Sequence, residues 1–228
     1  MKLLAIDAST EACSVAIYND GNVYSDFELC PQSHSLVLLP MVDRLLKESN
    51  SQLSDFDALV YGRGPGSFTG VRIGIGVAQG LAFAADIPTI GISTMQTMAQ
   101  EAFEVHGQKY VNVAIDARMS EVYCSSWHLT DKGLMELATQ EQVMPPEKFS
   151  SLIENSGYGV GTGWQAYPQY LAEKCQNNEE VAVLYPNAKY MIPSAIQSFK
   201  NGETQPADQA QPVYVRDTVS WKKLPGRE

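Results

Sequence analysis

Residues 2–10 read KLLAIDAST, and the tetrapeptide AIDA at Ala5–Ala8 returns at Ala114–Ala117 within YVNVAIDAR. Four matched residues can coincide by chance, so the flanks decide. Each copy follows an apolar run, KLLAI or YVNVAI, and precedes a second strand-like run, CSVAIY or VYCSSW. A turn comes next in both, NDGN at 19–22 and TDKG at 130–133, with a third run behind it. Asn/Asp/Gly clusters between apolar runs are hairpin chemistry, because these residues accept the positive φ of a tight turn. Each half therefore opens as strand, Asp-bearing turn, strand, turn, strand. Doubling at this period predicts two related lobes, residues 1–106 and 107–228.

Beyond that opening the first half alternates. Residues 34–48 are apolar and of helix length, and DALVYG (57–62) reads as a buried strand. A glycine-rich segment leads into a helix over Thr69–Ala85, followed by a short strand, PTIGI (88–92). Ser93 with Gln96 has the spacing of a capping box for a further helix reaching Val105. Three antiparallel strands followed by helix–strand units imply a mixed sheet covered by helices, an α/β class. After Trp164 the second half thins to a helical stretch, a polar patch (QNNEE), a helix near 188–200, a polar linker and a strand-like PVYVR. The second lobe reads as reduced.

The chain has 228 residues, 44% hydrophobic and 18% charged, which suits a globular protein with a real core. A net charge of -10 argues against unaided binding to nucleic acid, whose phosphates need Lys and Arg. The cysteines, Cys13, Cys30, Cys124 and Cys175, are widely spaced with no CxxC pair. They read as free thiols in a reducing compartment, with neither a disulfide framework nor a zinc site. The N-terminus meets Asp7 too early for a secretory signal, and no run of about 18 wholly apolar residues predicts a membrane span. The expected location is the cytoplasm.

YGRGPGSFTGVRIGIGVAQGLAFAA, Tyr61–Ala85, invites comparison with phosphate loops. A P-loop requires GxxxxGK[ST], but Gly70 is followed by Val71 and Arg72, and Pro65 stands where the first glycine belongs. A GxGxxG fingerprint fails from Gly64 at Thr69 and from Gly74 at Gln79. Helix packing gives a better account. Gly70, Gly74 and Ala78 form one small-residue row, and Gly76, Gly80 and Ala84 form a second. Each interior glycine costs about 1 kcal/mol against alanine, so close packing must compensate. One row suits the chain's own sheet and the other a second subunit. The segment SHSLVLLPMVDRLLKES, apolar on nearly all sides around Pro40, points the same way. The loop GRGPGSF, ahead of a helix N-terminus, keeps a secondary reading as an anion site.

GPGSFTGVRIG with its small-residue helix, the DAST turn, HSxxLLP at 34–40, DARMSEVY at 116–123 and the terminal PVYVR together resemble the bacterial TsaB (YeaZ) family. The resemblance covers essentially the whole chain. It implies an α/β, duplicated actin/Hsp70/sugar-kinase-like two-lobe fold. It also implies an accessory role in forming N6-threonylcarbamoyladenosine at position 37 of tRNA. The expected partners are a TsaD-like catalytic paralogue, a TsaE-like ATPase and, functionally, a threonylcarbamoyl-AMP synthase. A homodimer is expected when the chain is alone, with tRNA reached only through the complex. His34, Leu36, Leu39, Met41, Val42, Leu45, Gly70, Gly74, Val77, Ala78 and Leu81 are the expected interface residues.

Autonomous catalysis is not expected. The catalytic relative's HxxxH metal pair has no counterpart, since His34, His106 and His128 lack that spacing. No metal and no cofactor of its own is expected, with ATP or ADP confined to a shared interface. Asp7, Ser9 and Thr10 keep part of a kinase-type nucleotide turn, but Ala8 and Ser9 replace the glycines that admit phosphate. GVGTGW at 159–164 could mimic an adenosine-side loop in a lobe too short to close over it. Ser67 lies outside a G-x-S-x-G elbow. Arg72 and Arg118 are expected to pair internally with Asp7 or Asp116. The rival readings are an ATP-dependent phosphotransferase of the same fold and a glycoprotease-like peptidase.

Overall fold

A computed structural model describes residues 1–154, 157–176 and 181–216. Strands β1 (Lys2–Asp7), β2 (Ala12–Asn19) and β3 (Asn22–Leu29) form an antiparallel meander. Its first hairpin turns on Asp20 and Gly21, with φ of 47° and 100°, the primed geometry whose twist matches the flanking strands. After α1 (His34–Glu48) come β4 (Ala58–Gly62), α2 (Phe68–Ala85), β5 (Thr89–Ile92) and α3 (Thr94–His106). The sheet order is β3-β2-β1-β4-β5, with β4 parallel to β1 and β5 parallel to β4.

The second lobe repeats the plan in shorter form. It comprises β6 (Tyr110–Asp116), β7 (Val122–Leu129), β8 (Met135–Leu137), β9 (Gln142–Met144), α4 (Pro146–Leu152) and β10 (Tyr158–Val160). β6 lies between antiparallel β7 and parallel β10, as β1 lies between antiparallel β2 and parallel β4. The two copies of AIDA run off the ends of these central strands. Short α5 (Thr162–Ala166) and α6 (Pro168–Leu171) follow, and α7 (Ile192–Lys200) comes last.

Period-two alternation gives the first sheet two apolar faces. Leu4, Ile6, Val15, Ile17 and Leu59 meet Leu38, Met41, Val42 and Leu45 of α1 and Val71, Ile75 and Ala78 of α2. Leu3, Ala5, Ala16, Val60 and Ile90 point the other way, onto Ala188, Met191, Ile192 and Ala195. Burying each larger aliphatic side chain is worth about 1.5–3 kcal/mol, so both layers are needed.

This packing redraws the lobe boundaries. α3, assigned by sequence to the first lobe, buries Met95, Met98, Ala99 and Ala102 against Val111, Val113 and Trp127 of the second sheet. Residues 188–200, assigned to the second lobe, back the first sheet instead. Sequence order carries the repeat but does not say which sheet a crossing helix covers. Gln96 also departs from expectation. Ser93 Oγ accepts from the backbone N–H of Met95 and Gln96, while the Gln96 amide turns to the Met135 carbonyl. PVYVR forms no strand; Val213 N–H donates to the Arg63 carbonyl, and Tyr214 and Arg216 are held through their side chains. Beyond Gln176, the polar patch lies outside the described residues.

Candidate functional site

The Asp7 turn is built inward. Asp7 Oδ1 accepts from the Ser9 amide and hydroxyl, both at 2.8 Å, and Thr94 Oγ1 donates to Ser9 Oγ at 3.0 Å. Asp7, Ser9 and Thr10 are all buried. Asp7 Oδ2 and Thr10 Oγ1 have no hydrogen-bond partner among the described residues. Burial pushes the Asp7 carboxyl up to about 6, against the bonds from Ser9 that hold it down. A Cβ at Gly62 would sit 1.8 Å from Asp7 Oδ2, so the glycine gives that carboxylate its room.

The glycine-rich loop closes the same turn from outside. Ser67 N–H donates to the Ser9 carbonyl at 2.7 Å. Cβ atoms at Gly66 and Gly70 would stand 2.1 and 2.2 Å from the carbonyl oxygens of Ser9 and Ala8. The close approach of two backbones therefore explains these glycines, and Ser67 caps α2 by accepting from Gly70 N–H at 3.3 Å. The second lobe uses the same device, since a Cβ at Gly161 would stand 2.2 Å from the Ala114 carbonyl. Asp116 differs from Asp7 in reaching the surface turn. It accepts from the Arg118 amide, pairs with the Arg118 guanidinium at 3.1 Å and receives the Tyr167 hydroxyl at 3.2 Å. Arg118 thus pairs with Asp116 as expected. Arg72 does not reach Asp7. It stacks on Phe68 at 3.3 Å from the ring centroid and donates from Nε to the Tyr214 hydroxyl at 3.1 Å.

The expected interface residues divide sharply. Met41, Val42, Leu45, Gly70, Gly74 and Ala78 belong to the chain's own core, with Gly74 and Gly70 against Ala8 and Ala78 fully buried. They are corrected to packing positions, because the i, i+4 spacing that singled them out serves the nearest sheet first. Val77 and Leu81 are half-buried beside that core. Leu36 (75% exposed) and Leu39 (47%) face outward from α1. On α2 the outward row is the second one. Gly76 and Gly80 have open space where a Cβ would be, and Phe83 beside them is 82% exposed. Among the described residues, α2 is the one helix long and apolar enough to cross a membrane by length and composition, yet it lies along the sheet with a third of that window buried.

One cluster escaped the sequence reading. Cys13 on β2, Cys30 just past β3 and His34 at the start of α1 bring two sulfurs and a ring nitrogen within 4.8 Å of one another. His34 Nε2–H donates to the Thr10 carbonyl at 2.6 Å. Spacings of 17 and 4 residues match no local metal motif. Only strand register could have exposed the cluster: Cys13 pairs with Glu28, two residues short of Cys30.

Comparisons with known proteins follow the same lines. The family model described as "TsaD: tRNA N6-adenosine threonylcarbamoyltransferase" matches residues 27–222. The tRNA threonylcarbamoyladenosine biosynthesis protein TsaB of Escherichia coli K12 is 50% identical over 231 residues, covering 100% of both chains. The protein of the same description from Haemophilus influenzae is 45% identical, covering 100% of this chain and 99% of its own. YeaZ from Pseudomonas aeruginosa superposes with a TM-score of 0.83 at 43% identity, over 93% of this chain and 99% of that one.

Proposed function

The chain belongs to the TsaB (YeaZ) family, and on that premise we propose that it is a non-catalytic partner subunit for threonylcarbamoyladenosine formation on tRNA. It would support a TsaD-like catalytic paralogue, with a TsaE-like ATPase joining them in the cytoplasm and tRNA held through the complex. A net charge of -10 favours that division of labour, since the chain is poorly suited to hold phosphates alone.

The observation that carries this reading is the outward face of α1 and α2. Interior glycines cost about 1 kcal/mol each, and Gly76 and Gly80 gain nothing from their own fold. A row without a Cβ, with Phe83 exposed on the same helix and Leu36 and Leu39 exposed on α1, fits the close approach of another helix. The same face serves a homodimer when the paralogue is absent. Asp7, Ser9 and Thr10 are closed inside the first lobe, so a nucleotide at the shared interface would be held by the partner's groups and by residues outside this turn.

The test combines depletion with complementation. Nucleoside mass spectrometry of bulk tRNA from depleted cells should lose threonylcarbamoyladenosine, and wild type should restore it. Gly76→Trp and Gly80→Trp, at positions where an added Cβ meets nothing within 4 Å, should fold normally, fail to co-elute with the paralogue and fail to restore the nucleoside. Restoration by both variants would discard the interface. Modification that persists after verified depletion would discard the pathway role.

A further inference from the structure

We infer that Cys13, Cys30 and His34 form a binding site for one thiophilic divalent cation of the zinc class, seated between the edge of the first sheet and the start of α1. Two sulfurs and an imidazole nitrogen lie within 4.8 Å of one another. In a tetrahedral zinc site, bonds of about 2.0–2.3 Å put ligand atoms about 3.3–3.8 Å apart. The cluster therefore needs to contract by at most about 1–1.5 Å at its widest. The three-residue link from Cys30 to His34 can supply that movement, because it carries no regular secondary structure.

Three further features suit a cation. The Thr10 carbonyl accepts from His34 Nε2–H at 2.6 Å. That bond anchors the ring through Nε2 and leaves Nδ1 to a ligand, the outer-shell arrangement typical of ligating histidines. Next, Glu28 lies directly across from Cys13 in the β2–β3 ladder, so both side chains leave the same face of the sheet. The carboxylates of Asp7 and Glu28 both act electrostatically on Cys13, so the surroundings are anionic. Water fills the fourth position. Finally, Cys30 lies two residues beyond Glu28, the cross-strand partner of Cys13, which brings the two thiols together.

Binding exchanges protons for metal. Each thiol gives up its proton to solvent as its sulfur bonds the cation, so one divalent ion releases two protons and leaves a neutral cysteine–cysteine–histidine core. The ion would tie β2 and the end of β3 to the first turn of α1, the helix that presents Leu36 and Leu39.

The experiment uses the full-length protein, stripped with chelator under reducing conditions and titrated with Co²⁺ and then Zn²⁺. One equivalent of cobalt should bind, with thiolate-to-cobalt charge transfer in the near ultraviolet and visible bands of a four-coordinate ion, and zinc should displace it. Cys13→Ser and Cys30→Ser should abolish the charge-transfer band. His34→Gln, at a half-buried helix start and tolerant of folding, should weaken zinc binding more than the tenfold to 100-fold typical of losing an outer-shell partner. Cys124→Ala should bind like wild type. A spectrum without thiolate charge transfer, or unchanged zinc affinity in His34→Gln, would overturn the site. So would loss of both thiols to a Cys13–Cys30 disulfide in protein that then takes up no metal.

Discussion

Two acids are kept from water without a full set of partners. Burial pushes Asp7 up to about 6. Burial likewise pushes Glu101 on α3 up to about 7, with Glu104 adding to the effect and Lys189 opposing it. Glu101 Oε2, like Asp7 Oδ2, has no hydrogen-bond partner among the described residues. Because both folded values lie above the ordinary ones, the folded state binds more protons than the unfolded chain between about pH 4 and pH 7. Stability from these groups is therefore greatest below that window and falls as pH rises through it. At about 1.4 kcal/mol per unit, each ionised acid costs about 3 kcal/mol at pH 8. Glu101→Gln and Asp7→Asn should each recover about 1–3 kcal/mol in urea unfolding at pH 8 and little at pH 4. An unchanged difference between the two pH values would refute the assignment. The Asp7 turn was visible in the sequence because Asp followed by Ser two residues later is local chemistry. Glu101 was not, since its burial depends on residues near 190 that fold back against α3.

α2 carries two rows of small residues with opposite energetics. Gly70 faces the Ala8 carbonyl, where an added methyl has no room, so Gly70→Ala should cost about 1–3 kcal/mol through overpacking. Gly76 and Gly80 face open space, so Gly76→Ala and Gly80→Ala should each stabilise the isolated protein by about 0.5–1 kcal/mol through helix propensity. In a chain of this size that is a rise in Tm of about 1–4 °C, measurable by calorimetry. Loss of stability in both would mean the row is already packed. The existence of two rows could be read from spacing alone. Which row faced the sheet could not, because both have the same period and the same residue types. Tertiary packing decides it, with Gly66 and Gly70 set against the carbonyls of Ser9 and Ala8. α1 shows the same limit: its apolar run gave the helix to the residue, but not that Met41 turns inward while Leu39 turns out.

At the scale of the whole molecule, the repeated AIDA strands announced two sheets, and the sheets are there. The boundary between lobes was misplaced at both ends because two segments exchange sides. α3 leaves the first lobe to cover the second sheet, while residues 186–216 return to the first. The returning segment is well tied. Ser14 Oγ accepts from Ala188 N–H at 2.9 Å, Gln205 and Thr89 exchange backbone bonds, and the Tyr61 hydroxyl accepts from Gln205 Nε2 at 2.6 Å. Arg216 pairs with Glu121 at 2.5 Å, reaching back to the second lobe. A chain ended after Pro186 should accordingly be insoluble or open, binding a hydrophobic dye that full-length protein excludes. A monodisperse, dye-silent fragment would refute this. During synthesis the order of the chain matters. The first sheet leaves the ribosome early, yet its rear face, with Leu3, Val60 and Ile90, stays bare until residues 188–195 have been made. A nascent chain stopped short of them thus displays an oily surface that chaperones and proteases can recognise, and the returning segment erases it.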